Sequence, residues 1–564
     1  MKQEIEQAVQ DAVKAVFDAD TDIVLSRPDE KFGDYATNVA LQLSKQLGRP
    51  PREIAEGLAA KLRESLKDEV SEVTVAGPGF LNIKLSDSVF AAELGKMLDP
   101  ADPYGPAKRY RGQVIVTEYS DPNPFKVLHA GHLYTSVVGY AISNLYELAG
   151  AEVHRVNFGG DVGMHVGKTL WAILRELGGE HPEKLADVDQ SRRSEWMASC
   201  YVTGNNLYDE DEAAKAEMVA LNKRVYQIHN DKDHESPLAR IYWTCRQWSY
   251  EYFDDFYDRI GTPFEKYYPE SETAQLGLDT VRAHTPGVFE ESDGAIVFKG
   301  EDHGLHTRVF VTSQGLPAYE AKDVGLILKK KQDYDFDQSI IVTANEQLQY
   351  MEVVLKAIEQ FEPELYKATR HLTHGLVKLA GGVKMSSRRG NILRAVDVLD
   401  VAAAANREAT GKDDDVVVLG AVKYAFLKQR IGGDIIYDPI ESVSLQGNSG
   451  PYLQYAHARA HSILRKATME PSWVDGYVLN DWERLLVRKL TEYPEVVDTA
   501  LDDLMPHHVC SYLYELSQTF NRFYENNRVI GDEHEAGRLT LLTAYIGILQ
   551  HGLGLLGIDA PEQM

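Results

Sequence analysis

Cysteine is scarce in this chain: Cys200, Cys245 and Cys510 are the only three in 564 residues, with no CxxC pair. That excludes a disulfide framework and a zinc knuckle, and the three thiols read as small buried apolar groups. No apolar run reaches the roughly 20 residues that a helical membrane span needs. The opening segment, Met1 to Phe17, is a mixed-charge amphipathic pattern rather than a secretory leader, so a cytoplasmic location is expected, with no membrane partner. Positive charge is also short, 59 Lys and Arg against 86 Asp and Glu, net −27. Bulk charge of that sign argues against a general nucleic-acid binder, although phosphate contacts depend on local basic patches. It suits a cationic substrate. The glycine-rich run Asn157-Phe158-Gly159-Gly160-Asp161-Val162-Gly163 lacks both GxGxxG and Walker spacing. There is no internal repeat and no low-complexity tract. What remains is an ordinary globular composition, 44% hydrophobic and 26% charged, long enough for three or four domains.

Residues 1 to 105 read as a small α/β domain. Helical patterns at Ile5–Phe17, Tyr35–Leu47 and Pro51–Leu66 precede strand-like runs at Glu72–Val75 and Phe80–Leu85, then another helix. Asp99-Pro100-Ala101-Asp102-Pro103-Tyr104-Gly105-Pro106 is a turn-rich linker. From 106 to 390 strand, loop and helix alternate: Gln113–Thr117, Leu133–Leu148, Val153–Asn157, and later Ala295–Phe298, Arg308–Thr312 and Ile340–Val342. Such alternation predicts a doubly wound parallel, Rossmann-like sheet with ligands at the strand carboxyl ends. Aromatic-rich amphipathic helices from about 168 to 291 read as an insertion. After Asn391 the chain reads as almost wholly helical, a linker over 391–440 and a helical bundle over 441–564. The whole is an α/β multidomain protein.

Two segments carry most of the chemistry. His129-Ala130-Gly131-His132 places two imidazoles where a helix opens, beside a glycine that lets a ligand approach the backbone. Free N–H groups and the macrodipole make such a helix start favourable for an anion. Far downstream, Lys384-Met385-Ser386-Ser387-Arg388 sets a lysine and two serines in a glycine-flanked stretch that can close over the same anion. Tyr319 and Asp323 lie four apart, on one face of a predicted helix. A carboxylate there can pair with a planar guanidinium in a forked way that an ammonium cannot reproduce. In Tyr452 to Lys466 basic and aromatic residues interleave, as in surfaces that stack unpaired bases while contacting phosphate.

The two segments together, in this order, resemble the nucleotide-binding pair of class I aminoacyl-tRNA synthetases. Glu118-Tyr119-Ser120-Asp121-Pro122-Asn123, Ala76-Gly77-Pro78-Gly79-Phe80-Leu81-Asn82, Gly450-Pro451-Tyr452-Leu453-Gln454-Tyr455-Ala456 and the ending Ala560-Pro561-Glu562-Gln563-Met564 resemble the arginyl-tRNA synthetase family. Matching stretches run from about Gly33 to Met564.

The resemblance implies an ATP-dependent ligase that forms arginyl-adenylate from L-arginine. It then transfers arginine to the 3′-terminal ribose of tRNA(Arg), which is needed for the first step too. Mg²⁺ would accompany ATP with no dedicated protein metal site, and the protein would be a monomer. The implied catalytic residues are His129, His132, Lys384 and Lys126. Lys126 enters because Ser387 stands where the common KMSKS pattern has a second lysine; the other reading of Lys126 is an exposed, solvated lysine. ATP binding falls to Ser120, Asn123, His129, Gly131, His132, His374, Gly375, Lys384, Met385, Ser386 and Ser387. Arginine binding falls to Glu118, Ser120, Asn123, Tyr319, Asp323 and Gln347. Asn38, Tyr455 and Arg459 are assigned to tRNA, with Asn38 equally suited to cap a helix. Asp161 is expected to build the pocket rather than to react. Lys322, Tyr350 and His165 depart from the arginine, histidine and glutamine usual at their places. Two rivals stay open: a paralogue with another amino acid or a non-tRNA acceptor, and a non-catalytic RNA-binding relative. The intact His129, His132 and Lys384 argue against the second.

Overall fold

The computed structural model describes residues 1–99, 104–380, 393–473 and 476–564. In the N-terminal domain the helices Lys2–Phe17 and Pro51–Ser65 bury single stripes, Ile5, Val9 and Val13 on one and Ile54, Leu58 and Leu62 on the other, the four-residue spacing of one helix face. They accompany an antiparallel sheet of β1 (Tyr35–Thr37), β2 (Val70–Ala76) and β3 (Phe80–Leu85) in the order β1-β3-β2. The helical pattern read from Tyr35 to Leu47 is corrected here. All three β1 residues are buried and pair with β3, Tyr35 opposite Ile83, and the helix, Val39–Leu47, starts only afterwards. Three residues buried in a row satisfy either period, so tertiary pairing decides.

The catalytic-type core is a five-stranded sheet of β4 (Val114–Glu118), β5 (Glu152–Gly159), β6 (Lys266–Pro269), β10 (Gln338–Ala344) and β11 (Thr369–His374). All pairings are parallel, in the order β11-β10-β4-β5-β6. Ile115, Val116, Ile340, Ile341 and Val342 are buried, as strands covered on both faces require. The chain steps outward from β4 through β5 to β6, then returns to the other side of β4 for β10. The order therefore reverses between β4 and β10, and a ligand crevice is expected beyond their carboxyl ends. Between β6 and β10 lies a separate antiparallel sheet of β7 (Glu290–Ser292), β8 (Ala295–Phe298) and β9 (Arg308–Val311).

Four helices, Met164–Leu177, Arg193–Glu210, Glu212–Asn230 and Pro237–Ile260, separate β5 from β6. They enclose their own core, with Trp171, Met197, Met218, Tyr242 and Trp248. The expected insertion of 168–291 is too long at its end. Lys266–Pro269 is an edge strand of the parallel sheet, Asn157 opposite Tyr267, and only four residues long, too short to announce itself behind a tyrosine-rich helix.

Beyond residue 393 the described chain is helical except for β13 (Ile435–Tyr437), which pairs in parallel with β12 (Val377–Leu379). That strand was not expected in the helical stretch. The N-terminal domain docks on the last helices through buried charge: Arg484 donates to Asp34 at 2.7 Å and to Asp87 at 2.8 Å, and Arg27 to Glu495 at 2.7 Å. Among the described residues no helix is long and apolar enough to cross a membrane.

Candidate active site

At the reversal point the backbone after β4 is bent unusually. Ser120, Asp121 and Phe125 have φ of 74°, 51° and 68°, a left-handed conformation that costs non-glycine residues roughly 1–3 kcal/mol each. Neighbouring groups hold it there. Asp121 Oδ1 accepts from the Phe158 N–H at 2.9 Å, and Asn123 Oδ1 accepts from the Gly160 N–H at 2.7 Å. The Ser120 and Tyr257 hydroxyls meet at 2.7 Å. Asp161, fully buried, accepts from Ser271 N and Oγ at 3.0 and 2.7 Å and from Arg246 Nε at 3.0 Å. It ties β5's end to the helix Glu270–Ala283 and stays outside the cavity. His165, likewise outside, has its Nε2 2.6 Å from the Gly160 carbonyl, and burial pushes its imidazole down to about 3.

His129 is the N-cap of the helix Ala130–Leu148. Its Nδ1 accepts from the Gly131 N–H at 3.1 Å, and His132 Nδ1 accepts from the His129 N–H at 3.0 Å. The rings stack with centroids 3.7 Å apart. An Nδ1 that accepts carries no proton, so each neutral ring must hold its proton on Nε2. The capping bonds thus set both tautomers and leave two Nε2–H donors. Desolvation, with Lys126 and His374 nearby, pushes His129 down to about 4, and burial, with His129 and the Lys126 charge beside it, holds His132 well below the ordinary histidine value. Both are neutral at pH 7. Gly131 permits the arrangement, because a Cβ there would lie 2.9 Å from the His129 ring.

These rings open onto a cavity of about 490 Å³ that also meets Glu118, Ser120, Asp121, Asn123, Gly131, Thr135, Glu270, Arg308, Tyr319, Glu320, Asp323, Thr343, Gln347, Tyr350 and His374. Ten residues singled out from the sequence therefore share one space. Larger space lies at the seam of the N-terminal domain and the last helices, about 600 Å³ lined by Glu6, Tyr104 and Asp498, away from these groups. Asp323 and Tyr319 come from the helix Tyr319–Tyr334. The Tyr350 hydroxyl donates to Asp323 Oδ2; burial is the main reason that the Asp323 carboxyl is pushed up to about 7. Glu118 is bonded to Lys330, whose Nζ also donates to Ser339 Oγ at 3.1 Å. Lys322 donates to Glu270 at 2.6 Å.

His374, at the end of β11, has its Nδ1 2.7 Å from the Gly375 carbonyl. Gly375 itself is not part of the lining. It crosses the Gly433–Asp434 backbone so closely that a Cβ would fall 2.3 Å from Gly433 C. Lys126 also stands outside the lining, half-buried, with Nζ 4.9 Å from the centre of the Tyr201 ring. Burial and the Lys168 charge lower its pKa. Lys384, Met385, Ser386 and Ser387 lie outside the described residues. Sequence reasoning missed Asp121, Glu270, Arg308 and Glu320 as cavity residues. Asp121 stood within a quoted run, and Glu270 is the first residue after β6, a position visible only once that strand is known.

Three family models match the chain in order: arginyl tRNA synthetase N-terminal domain over residues 1–85, tRNA synthetases class I (R) catalytic domain over 94–439, and DALR anticodon binding domain over 453–564. The chain belongs to the arginyl-tRNA synthetases. Arginine–tRNA ligases are similar along its length. That of Porphyromonas gingivalis is 29% identical, covering 100% of this chain and 99% of that protein. That of Synechococcus elongatus is 31% identical over 96% and 95%. The Thermus thermophilus arginyl-tRNA synthetase structure superposes with TM-score 0.79 at 26% identity over the full length of both chains. The Plasmodium falciparum one shares the fold, TM-score 0.80 at 22% identity over 100% and 99%.

In this arginyl-tRNA synthetase the helix Gly450–Leu464 has two faces. Gln454, fully buried, donates to the Val416 and Asp559 carbonyls at 3.1 and 2.9 Å. Tyr455 and Arg459, one turn apart, are exposed, and the Arg459 guanidinium sits 5.2 Å from the Tyr524 ring centre. Asn38 is also exposed. It holds the N-cap position of its helix but makes no capping bond with its side chain, accepting instead from Gln42 Nε2 at 3.2 Å.

Proposed function

We propose that this chain activates L-arginine with ATP and transfers it to the 3′-terminal ribose of tRNA(Arg). The observation that carries the site assignment is that His129 and His132, whose Nδ1 atoms are taken up by the helix cap, line the same cavity as Asp323. Attack of the arginine carboxylate on the α-phosphate needs no covalent protein nucleophile. It needs the two reactants held in line and the charge on the phosphoryl oxygens stabilised. The imidazole donors, with Gly131 and the helix start, serve those oxygens. Ser120, Asn123 and His374 build the nucleotide side, with Gly375 packed behind His374 against the Gly433–Asp434 backbone. Lys384, with Met385, Ser386 and Ser387 around it, meets charge on the departing pyrophosphate, and Lys126 supplies the second cation that Ser387 lacks. Asp323, Tyr319 and Gln347 hold the guanidinium side, Glu118 and Asn123 the α-carbon end.

Mg²⁺ is expected to enter with the nucleotide. Glu118, Glu270 and Glu320 are committed to Lys330, Lys322 and Arg308, so phosphate oxygens and water would supply most of its ligands. For the tRNA, Tyr455 and Arg459 offer a stacking ring beside a cation, and Asn38 a base-edge contact from the N-terminal domain. We assign residues 1–105 to that domain, 106–390 to catalysis, 391–440 to the stem-side linker and 441–564 to anticodon binding, in a cytoplasmic monomer. Aminoacylation with arginine and lysine in parallel, with and without tRNA(Arg), tests the reading. Arginine alone should be charged, and pyrophosphate exchange should need tRNA. Charging of lysine, or of neither, would refute it.

A further inference from the structure

Glycine stands in the middle of two helices that meet beside the cavity. Gly277 is in Glu270–Ala283 and Gly325 is in Tyr319–Tyr334. Glycine weakens a helix interior relative to alanine, so its presence in both calls for a steric reason. The backbones supply it. A Cβ on Gly277 would lie 1.8 Å from the Ala321 carbonyl oxygen, and one on Gly325 would lie 2.2 Å from that of Thr273. The two helices therefore touch backbone to backbone. Alanine at either place would force them at least about 1 Å apart to reach an ordinary contact near 3.4 Å.

One helix is anchored and the other bears an acid. The first begins at Glu270, and the N–H and hydroxyl of its Ser271 are held by buried Asp161 at 3.0 and 2.7 Å. The second presents Asp323, which is more than nine-tenths buried and lines the cavity. Its only side-chain bond among the described residues comes from the neutral Tyr350 hydroxyl. A helix turns about 100° per residue, so Asp323 stands about 180° around its helix from the midline of Ala321 and Gly325. Lys330, two turns on, shares the face of Asp323 and bonds to Glu118 of β4. Movement away from the first helix therefore carries Asp323 toward β4, where the α-carbon end of the amino acid is proposed to lie. We infer that Gly277 and Gly325 are positioning residues that set how deep Asp323 sits, and so the side-chain length of the guanidinium amino acid that the site accepts. The inference rests on the proposed activity and adds selection by length to selection by charge. A displacement of about 1 Å is close to what one methylene adds to a side chain, and one methylene in a pocket is worth about 10- to 200-fold in discrimination.

The test measures tRNA-supported pyrophosphate exchange with L-arginine and with 2-amino-4-guanidinobutanoate, its homologue one methylene shorter. The full wild-type chain is compared with Gly277→Ala, Gly325→Ala and Leu278→Ala. Leu278, on the first helix, is a core side chain, so its truncation should lower the melting temperature without pressing the helices apart. The ratio of kcat/KM for arginine to that for the shorter homologue should fall about tenfold or more in each glycine variant. It should stay within twofold in Leu278→Ala. A purely structural role for the glycines would leave the ratio unchanged, or shift it equally in Leu278→Ala, and either result would overturn the inference. So would failure of both glycine variants to fold, which would make the crossing a requirement of the fold rather than a ruler. Wild type that exchanges with neither ligand would refute the arginine activity itself.

Discussion

His132 does two jobs that substitution can separate. Its Nδ1 accepts the His129 N–H, half of a reciprocal cap on the helix Ala130–Leu148, while the ring lines the cavity and its Nε2–H takes no part in the cap. His132→Ala removes both. Asparagine has an amide oxygen near the place of Nδ1 but nothing at Nε2, so His132→Asn should keep the cap and lose the donor. A lost cap costs about 1 kcal/mol of stability; a lost donor to a charge-bearing oxygen in a transition state costs about 10²–10³-fold in turnover. His132→Asn should therefore melt with wild type yet exchange pyrophosphate about 10²-fold more slowly, with the KM for arginine little changed. His132→Ala should show the same loss of turnover and melt about 1–2 °C lower, which is what about 1 kcal/mol is worth in a domain of this size. The proper assays are tRNA-supported ATP–pyrophosphate exchange and thermal unfolding on the same preparations. Near wild-type exchange by His132→Asn would refute the donor role. Equal melting of the two variants would refute the cap.

Asp323→Asn should cost arginine use roughly 2–5 kcal/mol, as for one partner lost from a buried charged pair, with ATP binding retained; a change within twofold in kcat/KM for arginine would refute it. Because the free Asp323 carboxyl is raised to about 7, arginine must bind the form that prevails above that pH. kcat/KM for arginine should fall about tenfold per pH unit below 7 and level off above it, and this arm should vanish in Asp323→Asn. Lys126→Ala should lower adenylate formation strongly, and adding Ser387→Lys should restore part of it. A coupling of about 0.5–3 kcal/mol in the four-variant comparison is expected for groups serving one partner, and additivity would separate them. Tyr455→Ala should weaken tRNA binding by about 1–3 kcal/mol, the worth of one stacked base, with tRNA-independent arginine affinity unchanged; a filter-binding titration that shows no loss would return Tyr455 to ordinary surface.

Long periodic segments were legible without coordinates. The helix from Leu133 to Leu148, the strands around Val116, Val156 and Ile341, and the placement of two histidines at a helix start all follow from hydrophobic period and local chemistry. Short elements were not. β1 and β6, three and four residues each, carry no period of their own and exist because a neighbouring strand supplies their hydrogen bonds. With no period to mark β6, the insertion read on to Glu291 and Glu270 stayed hidden inside it. The charge pairing of the cavity was illegible for another reason. Glu118 and Lys330 are 212 residues apart, Lys322 and Glu270 are 52 apart, and nothing local indicates which acid has a cation. That partition, not the identity of the acids, decides which of them can meet a substrate.

The neutrality of the two histidines has a consequence for where the positive charge of the reaction must come from. An imidazolium at 129 or 132 would attract ATP in its ground state as strongly as it later stabilised the transition state, and uniform binding of that kind does not raise turnover. Burial and the Lys126 charge keep both rings uncharged, so in the proposed role they would orient phosphoryl oxygens by direction rather than by net attraction. The carboxylates of the arginine side make the empty cavity unfavourable for a polyphosphate as well. On the proposed mechanism net positive charge then falls to Lys126, outside the lining beside Tyr201, and to Lys384, which is outside the described residues. If Lys126 serves the charge that develops on pyrophosphate, losses there should fall on kcat rather than on the KM for ATP. Lys126→Ala with an unchanged kcat and a raised KM for ATP would place its charge in ground-state binding and refute that division.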